Sequence, residues 1–125
     1  MNDSHPLRLD GKRLAMLRTV AGGHAFHIVD VDLAHCHDKR TLLAVCQLAF
    51  SLPDWFGHNW DALADSLGDL SWLPAKGYLV ILQHSQGLEA QAPETFATFI
   101  DILDEARETW GSRGVPMQVV LEAGA

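Results

Sequence analysis

The sequence predicts a small α/β domain built on a three-stranded parallel sheet, and three observations predict it. Ala25–Val31, Gly77–Gln83 and Met117–Leu121 are β-branched or apolar runs bounded by Gly, Pro or polar residues, as strands are. Helical patterns lie between each consecutive pair of these runs. Strands separated by helices pair in parallel, because the crossover returns each strand to the same end of the sheet.

The elements follow in order. Residues 1–23 read as an N-terminal extension outside the domain proper, which occupies residues 24–125. Within the extension, Leu14–Val20 is expected as an extra edge strand turning back at Ala21-Gly22-Gly23. After the first core strand, Asp38 offers an N-cap to a helix reaching about Phe50, with Leu42, Leu43, Cys46, Ala49 and Phe50 on its apolar face. Pro53 stops that helix. The loop Asp54-Trp55-Phe56-Gly57-His58 leads to Asn59, which caps a second helix. Tyr78–Leu82 is apolar throughout and reads as a buried strand. Pro93 suits the first turn of a long helix in which Phe96, Phe99, Ile100, Leu103, Ala106 and Trp110 keep a 3.6-residue period. Gly111–Pro116 breaks it before the last strand.

Composition narrows the function. The chain has 125 residues, 48% hydrophobic and 20% charged, which suits one globular domain. Its net charge of −7 argues against general binding of phosphate backbones, which needs clustered Lys and Arg, and favours a basic partner. No apolar run approaches the roughly 20 residues of a membrane span. The start, Met1-Asn2-Asp3-Ser4-His5, lacks the order of a signal peptide. Cys36 and Cys46 are therefore expected as reduced thiols in a cytoplasmic protein.

The most informative stretch is Leu52–Trp72. On a wheel of 100° per residue, Trp60, Leu63, Leu67 and Leu70 share one side, while Asp61, Asp65 and Asp69 share the other. Like charges four apart repel by roughly 0.2–0.5 kcal/mol per pair, and Asp69 lies at the wrong end of the helix dipole. Lys76 is the single basic residue between Leu52 and Gln83. A stripe that costs stability, beside the aromatic pair Trp55-Phe56, has the makings of a docking face for a cationic protein: an aromatic anchor with charge for steering. A solvated acidic surface is the plainer alternative.

These residues also carry a resemblance. Leu52-Pro53-Asp54-Trp55-Phe56-Gly57-His58-Asn59-Trp60-Asp61-Ala62-Leu63-Ala64-Asp65 resembles the signature of the barstar family, intracellular inhibitors of secreted ribonucleases. The family pattern is Leu-Pro, an acidic residue, two aromatics, Gly, any residue, Asn, an apolar residue, Asp-Ala-Leu, and an Asp two further on. The likeness extends over about Ala25–Leu121. It implies a barstar-like fold and a protein that plugs a ribonuclease active site with acidic side chains in place of substrate phosphates. By position, it implies partner contacts at Trp55, Asn59, Asp61 and Asp65, and at Glu105 on the later helix; Asp69 extends the stripe. The chain departs from the pattern at Ala64, where a family member has Trp, at Gly68-Asp69 in place of Thr-Gly, and in a longer turn at Gly111–Pro116.

Catalytic readings are weaker. Asp61 and Asp65 could serve as an acid/base pair or hold a divalent metal, but no nucleophile elbow accompanies them, and Ser66 lies within the helix. His35 and His37 would share a strand face and could bind zinc only if the strand reached that far. A polar turn leading to the Asp38 cap accounts for them more simply. The expectation is a monomeric, non-enzymatic inhibitor that needs no metal or cofactor and touches neither nucleic acid nor membrane. Its partner would be a basic ribonuclease or nuclease-type toxin domain. The alternative is an interaction module that keeps the fold and binds a basic partner other than a nuclease.

Overall fold

The apolar run Tyr78–Leu82 sits where such a run must, inside a sheet covered on both faces. The computed structural model describes residues 6–124. Its elements run β1 (Leu7–Leu9), α1 (Gly11–Gly23), β2 (His27–Asp32), α2 (Lys39–Ala49), α3 (Trp60–Asp69), β3 (Tyr78–Gln83), α4 (Gln86–Gln91), α5 (Pro93–Ser112) and β4 (Met117–Glu122). The four strands form one sheet in the order β1-β4-β3-β2, every neighbour parallel.

This order explains where the helices lie. The steps from β2 to β3 and from β3 to β4 cross the sheet in one direction. Right-handed crossovers therefore place α2, α3 and α5 on one face. The connection from β1 to β2 runs the opposite way, so the same handedness puts α1 on the other face. The alternation of β3 records both covers. Tyr78, Val80 and Leu82 belong to the larger core with Leu42, Phe50, Leu63, Leu67, Phe99 and Leu103. Leu79 and Ile81 join Val120, Leu14 and Ala21 in a smaller one, with Leu17, Phe26 and Ile28 at its margin.

The N-terminal segment corrects one expectation. Leu14–Val20 is helix, and the edge strand is Leu7–Leu9, paired with Val120–Glu122. Asp10 caps the helix, its carboxylate accepting from the Arg13 amide at 2.8 Å. Leu14, Leu17 and Ala21 recur at helical spacing and cover the second face of the sheet. Residues 1–5 of the extension lie outside the described residues. The remaining elements fall close to their predicted places, and α4 is an addition that the sequence reading lacks. Among the described residues, no helix is long and apolar enough to cross a membrane.

Candidate functional site

Two reversals of the chain deliver the Leu52–Trp72 stretch to the surface. α2 begins at a capping box, where the Asp38 carboxylate accepts from the Thr41 amide at 2.9 Å; this bond holds its pKa below the usual carboxylate value. The helix ends at Phe50, followed by Ser51 at φ 53°. The loop is then pinned at two points: Leu52 and Phe56 are buried, and the Phe56 amide donates to the Pro53 carbonyl at 2.9 Å.

The aromatic pair divides between two roles. Phe56 is 4% exposed and belongs to the larger core, whereas Trp55 is 80% exposed. His58 stands at φ 50°, with Nδ1 donating to the Phe56 carbonyl at 3.0 Å and its ring centroid 4.8 Å from that of Phe56. At Gly57 the loop passes close to the cap: a Cβ there would sit 3.1 Å from Asn59 Nδ2 and press on that side chain. Asn59 turns its side chain back on the loop and helix. Oδ1 accepts from the Ala62 amide at 2.7 Å, and Nδ2 donates to the Gly57 carbonyl at 3.3 Å. Both ends of its amide are thus engaged within the chain.

α3 packs as its pattern predicts, with Leu63, Leu67 and Leu70 buried and Trp60 half-buried. Asp61, Asp65 and Asp69 are exposed along the opposite side. Among the described residues, none of the three is within ion-pair distance of a cation. Asp69 accepts a hydrogen bond from Ser71 Oγ at 3.2 Å. Glu105 is exposed on α5, the helix that packs against α3, and Asp101 and Glu108 are exposed on the same helix at helical spacing.

What fixes α3 comes largely from residues distant in sequence. Trp110 Nε1 donates to the Leu67 carbonyl at 2.8 Å, and Arg113 donates to the Gly68 carbonyl at 2.8 Å while stacking 5.0 Å from the Trp110 ring. α5 runs on through Gly111 to Ser112, past the expected break at Gly111, and its C-cap residue Arg113 supplies a cation to the C-terminus of α3, where the dipole favours one. Sequence reasoning missed this, because it sought cations only within the stretch itself. Beyond α3, Leu70 adopts a left-handed conformation (φ 44°), held by its buried side chain at a cost of about 1–2 kcal/mol. Trp72 Nε1 donates to the Phe50 carbonyl at 3.0 Å, and the Tyr78 hydroxyl donates to the Leu73 carbonyl at 2.6 Å.

The alternative chemistries find little geometry. β2 ends at Asp32, so His35 and His37 do not share a strand face. Among the described residues, no three His, Cys, Asp or Glu side chains are gathered to hold a metal. Ser66 is buried. Cys36 and Cys46 are buried free thiols, and burial pushes Cys36 up to about 11, well away from a reactive thiolate.

A family model described as Barstar (barnase inhibitor) matches residues 26–122. No match is found among curated proteins.

Proposed function

We infer the function from one premise: this chain belongs to the barstar family, described as barnase inhibitors. The chain is a non-enzymatic cytoplasmic inhibitor that closes the active site of a basic, barnase-type ribonuclease. One observation carries this reading. Three carboxylates on a helix fixed at both ends have no ion-pair partner among the described residues, and an 80% exposed Trp55 stands on the loop that leads into them. Burial of α3's other face and the Trp110 and Arg113 bonds hold the carboxylates in place before a partner arrives. Little conformational freedom is therefore lost on binding. Asp61 and Asp65 take the place of substrate phosphates, Asp69 and Glu105 extend the field, and Trp55 supplies an apolar anchor. Asn59 positions the helix start that presents them.

The test is an inhibition titration against a barnase-type ribonuclease, with association followed across ionic strength. The expected result is 1:1 inhibition whose on-rate falls steeply with salt, because steering acts over a Debye length of about 8 Å at physiological salt. Binding indifferent to salt would contradict an acidic plug. Ala64 and Asp69, two of the departures on α3, favour a second reading in which the basic partner is not a nuclease. Capture of such a partner on the same face, without inhibition of any ribonuclease, would select it.

A further inference from the structure

Beside the acidic face lies a patch of the opposite sign. Lys39 and Arg40 occupy the first two positions of α2, where the helix dipole disfavours cations. Among the described residues, neither is within ion-pair distance of a carboxylate. Together with Leu43 and His58 they line a cleft of about 470 Å³. The cleft adjoins α3 through one contact and one chain neighbour. Lys39 Nζ stands 5.2 Å from the centroid of the Trp60 ring, at the first residue of α3, and His58 is held by its Nδ1 bond to the Phe56 carbonyl, next to Asn59.

We propose that this Lys39–Arg40–His58 cleft receives an aspartate or glutamate side chain of the same protein partner that α3 engages. The inference rests on the inhibitory face described above and adds to it a polarity. The partner must present cations opposite Asp61 and Asp65, and a carboxylate opposite the start of α2. A nucleic-acid phosphate is disfavoured as the occupant, since a chain of net charge −7 with exposed carboxylates along α3 repels a polyanion, whereas a protein surface can carry both signs. The cleft fixes docking orientation and rejects basic proteins lacking the matching carboxylate, which would leave two cations desolvated and unpaired.

The double variant Lys39→Glu, Arg40→Glu separates this from a purely acidic site. If only negative charge matters, the variant gains steering toward a cationic ribonuclease and binds as well or faster. The cleft instead predicts binding about tenfold or more weaker, with loss concentrated in the off-rate. The milder Arg40→Gln should move affinity in the same direction, and thermal melts of both variants establish that the fold is intact. Unchanged or tighter binding by the double variant would overturn the proposal. Failure of the unaltered chain to inhibit any barnase-type ribonuclease would instead overturn the ribonuclease reading. Titration with succinate, a dicarboxylate probe, would then decide the cleft by itself. Saturable shifts of the Lys39, Arg40 and His58 amides that vanish in the variant support it, and unshifted amides overturn it.

Discussion

α1 and α3 are two short helices, each capped by an acidic or amide side chain and each packing leucines at helical spacing, yet they differ in how their charges are met. Around α1 two arginines are tied to the domain, while Lys12 and Arg13 in its first turn are exposed and without ion pairs among the described residues. Arg18 forms a two-bond pair with Asp30 of β2 at 2.6 and 3.1 Å, and Arg8 on neighbouring β1 does the same with Glu89 at 2.6 and 3.2 Å. On α3 the carboxylates are aligned, exposed and without such pairs among the described residues. The arginines that tie α1 and β1 to the domain are answered within the chain; the three aligned carboxylates of α3 are not, among the described residues.

The largest expected effect tests the structural half of this contrast. Removing residues 1–23 uncovers Leu79, Ile81 and Val120, and the truncated chain should fail to fold cooperatively. Leu14→Ala alone should cost about 2–5 kcal/mol in urea or thermal unfolding. A truncated chain that melts within a few degrees of the intact one would reduce α1 to an appendage.

Next in size is the division of the adjacent aromatics. Phe56→Ala should cost about 3–5 kcal/mol of stability. Trp55→Ala should change stability by no more than about 0.5 kcal/mol yet weaken ribonuclease binding by about 2 kcal/mol, roughly thirtyfold. Equal stability losses would merge the roles that the contrast separates. Asp65→Ala should behave like Trp55→Ala, with the largest affinity loss among the carboxylates.

A smaller effect, of opposite sign, is expected at Asp69. Asp69→Lys removes repulsion from Asp65 and suits the helix C-terminus, so stability should rise by about 0.3–1 kcal/mol. The gain falls at the low end because Arg113 already serves that terminus. A lowered melting temperature would show that the Ser71 hydrogen bond to Asp69 outweighs the repulsion.

The smallest concerns His84 and Asp32, whose Nδ1 and Oδ1 lie 2.9 Å apart. The hydrogen bond raises the imidazole's pKa and lowers the carboxylate's. His84's contribution is fully present below its ordinary pKa of about 6.5 and is lost as pH rises through the raised value; that of Asp32 is present above about 3.9 and is lost as pH falls through the lowered value. The pair therefore acts from mildly acid to near-neutral pH. Both groups are exposed, and salt should erase the difference between the intact chain and His84→Gln across that window.

Much of this was legible in the sequence where pattern and punctuation agree. The caps at Asp38 and Asn59, the period of α5, and the two sides of α3 were each readable because one residue type repeats at one spacing. α1 escaped because exposed Met16 and Val20 blur its pattern, although Leu14, Leu17 and Ala21 keep helical spacing behind Asp10. A second signal was available: a run apolar at every position from Tyr78 to Leu82 needs cover on both faces, and the downstream helices supply only one. The exposure of Trp55 and the burial of Phe56 could not be separated from sequence, since a loop has no period. Nor could the Arg113 and Trp110 bonds to α3, which depend on tertiary packing across more than forty residues.

The most direct test of the central claim joins stability to inhibition in one variant, Asp61→Lys, Asp65→Lys. The loss of a favourable acid near the start of α3 offsets the relief of repulsion, so the melt should lie within about 1 kcal/mol of the unaltered chain. Inhibition of a barnase-type ribonuclease should be abolished. A variant that still inhibits would move the binding face off α3, and one that unfolds would show that the carboxylates serve the fold and not a partner.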